Sequence, residues 1–198
     1  LAQWEACRLM AELGKVVSEV GPELKKAGAD PRQWVECYAG EDGWYRIDHA
    51  QRALESWVAQ MEDDPEEPLE QALGLVRRTH EELLEKMAQG YSKALASNGW
   101  TVQGLLHQTR IFPECVEGVG GRVAYFFVDA MRYEMGADLA SLLDGAEDLR
   151  LRPAVGVLPS ITPLGMAALL PGASGSYSVV AHKGKLAGRI GDSVMPAL

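Results

Sequence analysis

The chain has 198 residues, 47% of them hydrophobic, and a formal net charge of −9. This is enough apolar content for one or two packed domains, and no apolar stretch reaches the roughly 18 residues of a membrane span. Residues 1–120 hold 12 basic and 21 acidic side chains, whereas residues 121–198 hold 7 of each. The first part is therefore a poor nucleic-acid surface, since binding there needs cations that displace counterions.

Residues 1–27 read as a helix with Leu9, Leu13, Val16, Val17, Val20 and Leu24 on one face, split or kinked at Gly21-Pro22. Asp30-Pro31 starts a short helix carrying Trp34 and Tyr38, and Gly40 to Gly43 is a turn. A third helix is expected over about 45–61, with Ile47, Leu54, Trp57, Val58 and Met61 inward and His49 as a polar helix residue. The sequence EDDPEE at 62–67 is an acidic loop. A long helix follows over about 68–97, its stripe running from Leu69 through His80 to Leu95. It spans about 45 Å and is expected to lie antiparallel against the helix before it. His80 reads as a packed histidine, because no ligand partner stands four residues on. Asn98-Gly99 is its stop signal.

Residues 100–120 form a bridge with Pro113 and late glycines, in which His107 has no recognisable partner. The GVGG at 118–121 precedes an apolar run instead of following one, which is the wrong context for a dinucleotide-binding loop. Cys7, Cys37 and Cys115 are scattered, with no CxxC or HExxH motif. Buried free thiols in a reducing cytoplasm are the simplest reading. The N-terminus carries no signal-peptide pattern.

The run VAYFFV at 123–128 is short, β-branched and aromatic, as expected of a strand buried on both faces of a parallel sheet. It ends in Asp129. A carboxylate at the end of a buried strand is costly unless something charged or hydrogen-bonded compensates it, and a divalent metal is one such compensator. The alternative is a helix N-cap, since a helix is expected next, with Met135, Leu139, Leu142 and Leu143 packed inward. Arg132 and Glu134, in the first turn of that helix, touch a phosphate, order the site or form a solvated salt bridge. A second run, LRPAVGVLPS, leads to Thr162-Pro163, which reads as N-cap and first helical residue. The same geometry holds anions, and a threonine there is a capping residue or a nucleophile activated by metal. Ser160 is a rival for either role. In an open parallel sheet, ligands gather at the carboxyl ends of strands, which brings attention to Asp129 and Thr162 together.

These residues resemble the PglZ domain, a branch of the alkaline phosphatase superfamily. The resemblance lies in FFVDAMRYEMGADLASLL at 126–143 and LPSITPLGMAALLPG at 158–172. The stretch YRIDHAQRALESWV at 45–58 is similar to the region preceding that domain in phage-defence (BREX-type) PglZ proteins. The resemblance implies an α/β fold, with an α-helical region at 1–120 followed by an incomplete alkaline-phosphatase-like parallel sheet with flanking helices at 121–198. It implies a metal-binding Asp129 and a metal-bound nucleophile Thr162, with zinc or another divalent ion. The chemistry it implies is hydrolysis of phosphate esters or diesters, including nucleotides or nucleic acid, alongside other phage-defence proteins. Arg132, Glu134 and Ser160 are candidate substrate contacts.

The superfamily completes its metal site with later Asp and His residues. After Thr162 this chain offers only His182 and Asp192, in a Gly-rich, basic tail. Tyr177–Ala181 and Lys185–Ile190 are expected to pair as a hairpin around His182-Lys183-Gly184, with His182 as a solvated turn residue. The start at Leu1 and end at Leu198 suggest a piece of a longer cytoplasmic protein, inactive by itself. A non-catalytic scaffold that docks defence proteins through the acidic helices is the alternative.

Overall fold

The computed structural model describes residues 2–62 and 65–195. Asp63 and Asp64 of the expected acidic loop, and the two ends Leu1 and Leu198, lie outside the described residues. The chain divides into two compact units: 1–103 with 133–142, and 104–132 with 143–198. The fold class is α/β, with helices alongside a small parallel sheet and a separate antiparallel sheet.

The first unit is helical. Helix α1 (Ala2–Val20) buries Leu9, Leu13, Val17 and Val20 along one face. Pro22 has no N–H to continue the ladder, and the chain tightens into a 3₁₀ turn over Gly21–Lys26. Asp30 caps α2 (Pro31–Ala39) by accepting the Arg32 backbone N–H at 2.9 Å. Helices α3 (Arg46–Val58) and α4 (Glu67–Ser97) complete the layer. Helix α4 packs chiefly on α1, not on α3 as its position in the sequence suggests. An ion pair of Arg77 with Glu55, at 2.6 Å, ties it to α3. Leu13, Ile47, Leu54 and Leu73 are fully buried, each stabilising the unit by about 2 kcal/mol. Gly90 lets α4 approach Trp34 closely, since a Cβ there would overlap the indole ring. Trp34 also donates its indole N–H to the Gly28 carbonyl at 3.1 Å and meets Trp44 edge-on.

Helix α5 (Tyr133–Leu142) belongs to this unit. Tyr133 donates its hydroxyl to the Ala39 carbonyl at 2.8 Å, and its ring packs edge-on against Tyr38 and Tyr45. The expected inward stripe is not the buried one. Leu139, Leu142 and Leu143 are exposed, and the buried residue is Glu134. Glu134 is buried because it has an arginine partner, Arg52, within the same unit.

The second unit holds β1 (Leu106–His107) and β2 (Ala154–Val155), paired in parallel. Helices α6 (Thr162–Ala168) and α7 (Ala173–Ser176) follow. Then β3 (Tyr177–His182), β4 (Lys185–Ile190) and β5 (Ser193–Met195) form an antiparallel meander. The expected hairpin is therefore present, and His182 ends β3 opposite Lys185. Val157, Leu164 and Ala168 form a small core with Tyr177 against it.

The run VAYFFV does not form the expected buried strand. Residues 123–128 pair with no strand among the described residues, and Phe126 is 81% exposed. Strand conformation is held by cross-strand hydrogen bonds and side-chain pairs, not by propensity alone. The run instead rests on aromatic contacts: Tyr125 lies between Phe112 and Phe127, and its hydroxyl donates to the Leu169 carbonyl at 3.3 Å.

Candidate functional site

Asp129 follows the apolar run in a tight turn. Ala130 takes a left-handed backbone conformation with φ of 54°, which is costly for a residue with a Cβ. The turn brings the Ala130 N–H back onto Asp129 Oδ1 at 2.9 Å. Asp129 does not cap α5, whose N-cap position is Arg132.

Thr162 is the first residue of α6, and Ile161 occupies the N-cap position, one residue earlier than the sequence suggests. The Ile161 carbonyl accepts the first helical bonds, from Leu164 and Gly165. Thr162 therefore spends no hydroxyl on capping. Its Oγ1 donates to Asp129 Oδ1 at 3.2 Å, and both side chains are exposed. Helix α6 has only 7 residues, so its macrodipole adds little to a site here.

Gln108 holds the backbone on either side of Thr162. Its amide nitrogen donates to the Gly165 carbonyl at 3.0 Å, and its amide oxygen accepts the Val157 N–H at 3.1 Å. Nothing in the sequence marks Gln108, because its partners lie about fifty residues away. Next to it, His107 has a partner after all: Nδ1 lies 2.9 Å from the Thr109 hydroxyl and accepts the Thr109 N–H. Burial, with Arg110 nearby, lowers the imidazole's affinity for a proton.

The remaining predicted residues divide. Ser160 and Arg132 are exposed, Ser160 in the loop before α6 and Arg132 at the entry to α5. Glu134 is a correction. It has no exposed surface, and its carboxylate is held by the Arg52 guanidinium at 2.8 Å, so it is neither a solvated ion pair nor open to substrate. Asp138, one turn on, bonds the same guanidinium and also faces His49 Nδ1 at 3.1 Å. Hydrogen bonding to Glu134 stabilises the charged Arg52. The signals for this network were His49 and Arg52 three apart on α3, and Glu134 and Asp138 four apart on α5.

A catalytic zinc site uses three protein ligands and keeps one position open. Asp129 and Thr162 supply two oxygen donors, and among the described residues no cluster of three His, Cys, Asp or Glu ligands includes Asp129. The cluster that does occur, His49, Glu134 and Asp138, already holds a cation in Arg52. The described residues thus do not make a complete divalent-metal site.

The second unit thus combines a two-stranded parallel sheet with an exposed Asp129 and Thr162 that meet beyond an apolar run. Residues 106–186 match the family model for the BREX system PglZ alkaline phosphatase-like domain, and this stretch contains both Asp129 and Thr162. The chain is also similar to the "Alkaline phosphatase-like protein BrxZ" of Escherichia coli O9:H4 (strain HS), at 32% identity over 99 residues. That alignment covers 44% of this chain and 11% of the relative, so the chain spans a small part of the relative's length. No solved structure matches the chain. No helix among the described residues is long and apolar enough to cross a membrane.

Proposed function

We propose that this chain is part of a metal-dependent phosphoester or phosphodiester hydrolase of a BREX phage-defence system, with Asp129 as a metal ligand and Thr162 as the nucleophile. The observation that supports this reading is the hydrogen bond from the Thr162 hydroxyl to Asp129, at an exposed position within the PglZ-like stretch. By donating its proton to the carboxylate, the hydroxyl keeps its lone pairs directed away from Asp129 and available to phosphorus. Attack forms a threonine O–P bond and breaks the bond to the leaving alcohol, which takes up a proton. Water then cleaves the threonine ester and releases phosphate or a phosphomonoester. Were zinc or another divalent ion bound, Asp129 and Thr162 would be among the residues that hold it, and it would supply a Lewis acid that lowers the hydroxyl pKa and offsets charge on the phosphoryl oxygens.

In this reading Arg132 and Ser160 stand close enough in sequence to Asp129 and Thr162 to contact the phosphate. The reading holds that further donors are supplied by polypeptide outside the described residues and that the 198-residue chain is inactive by itself; in its support, no cluster of three His, Cys, Asp or Glu ligands among the described residues includes Asp129. Other defence proteins are the partners, and the cytoplasm is the compartment. The test uses a zinc-loaded polypeptide of the relative's length that carries this chain. It is expected to hydrolyse bis(p-nitrophenyl) phosphate, and Asp129→Asn is expected to lose both zinc and turnover. Zinc content and turnover that both survive Asp129→Asn overturn the assignment.

The incomplete ligand set also favours a second reading, in which the PglZ-like stretch is a non-catalytic scaffold. A metal-loaded long polypeptide with no hydrolysis of any phosphoester, yet with defence proteins retained on the helical unit, selects that reading.

A further inference from the structure

A cleft of about 600 Å³ opens in the helical unit where the start of α1 meets the end of α3. Gln3, Trp4, Trp57, Met61, Glu62 and Glu66 line it. Trp4 is 79% exposed and Trp57 38%. Tryptophan is the side chain that loses most by standing in water, and exposed tryptophans concentrate at binding surfaces. The Trp57 ring is held in place, its indole N–H donating to the Ala2 carbonyl at 2.9 Å. Gln3 reaches across to Glu66 at 3.4 Å.

The charge of the cleft is one-sided. No Lys or Arg is among its lining residues, and neither Glu62 nor Glu66 is ion-paired among the described residues. Two indoles, a thioether and two carboxylates with no ion pair among the described residues are a poor match for phosphate, nucleic acid or an acidic peptide. They complement a cation carried on an apolar stem: indole faces attract guanidinium and ammonium groups, the stem lies along the rings, and the carboxylates take the N–H donors.

We propose that this cleft binds an arginine or lysine side chain presented by a basic segment of a partner protein. The site is separate from Asp129 and Thr162, so it stands or falls independently of the hydrolase reading.

The test is fluorescence anisotropy of a labelled arginine-rich peptide titrated with the 198-residue chain at low salt. Saturable binding is expected, weakened roughly tenfold by Trp4→Ala, which leaves the charge unchanged. Glu62→Gln with Glu66→Gln is expected to weaken it as well. Glu81→Gln with Glu82→Gln removes the same charge from an exposed part of α4 and is expected to leave binding unaltered. Circular dichroism identical to the parent's shows that the Trp4 variant is folded, as expected for an exposed side chain. The proposal is overturned by equal affinity in parent and Trp4→Ala, by equal loss in the two glutamate pairs, or by the absence of saturable binding.

Discussion

The Thr162 hydroxyl lies 3.2 Å from the Asp129 carboxylate, although 33 residues separate them in the chain. Local structure does not require this meeting. It depends on the turn at Ala130, which ends the apolar run, and on Gln108, whose amide fixes residues 157 and 165 on either side of the threonine. A capping threonine would point its oxygen into its own helix. Here Ile161 opens the helix, and the hydroxyl is left to face the carboxylate.

The Arg52–Glu134 pair makes the first prediction. Glu134 is fully buried, and Arg52 bonds both Glu134 and Asp138. Arg52→Ala leaves a carboxylate without its cation inside the helical unit, and is expected to cost about 3–5 kcal/mol in urea unfolding. The double variant Arg52→Met with Glu134→Leu removes both charges and is expected to recover most of that loss. If Arg52→Ala unfolds at the parent's midpoint, the network does not anchor α5.

Gly90 gives a second. Alanine is the better helix former by nearly 1 kcal/mol, so propensity alone favours Gly90→Ala on α4. The Trp34 ring occupies the space that a Cβ needs. Overpacking is expected to prevail and to destabilise the chain by about 1–3 kcal/mol. A thermal midpoint raised by the substitution would show that the helix and the indole can separate without cost.

The third concerns pH. Burial and Arg110 lower the His107 pKa below its ordinary value of 6.5. The unfolded chain then binds the proton more readily than the folded one. Stability from this group is fully present above about pH 6.5 and is lost as pH falls below it toward the depressed folded value. Unfolding free energy measured from pH 8 to about pH 5 is expected to decline in that window, and less so in His107→Asn, which keeps an acceptor for the Thr109 N–H. Identical pH profiles would remove His107 as a source of the decline.

Much of the helical unit is legible in the sequence. Gly21-Pro22, Asp30-Pro31 and Asn98-Gly99 punctuate helices through local backbone chemistry, which requires no distant partner. The hairpin over 177–190 is legible for the same reason. The apolar run at 123–128 misleads, because its composition states a preference for a sheet but cannot supply the neighbouring strand. Glu134 misleads in the opposite sense. Its partner Arg52 stands 82 residues away, so no local pattern separates a buried ion pair from a solvated one. Asp129 and Thr162 were legible as a pair because each ends an apolar stretch at a turn. Their relation to Gln108 was not, since a single glutamine carries no periodicity.

The most direct measurement of the central claim compares Thr162→Ser with Thr162→Val in a zinc-loaded polypeptide of the relative's length, assayed on bis(p-nitrophenyl) phosphate. Serine keeps the hydroxyl, while valine keeps the shape and removes the oxygen. The serine form is expected to retain turnover within about tenfold, and the valine form to fall by at least about a hundredfold. Equal turnover in the parent and the valine form would contradict that claim.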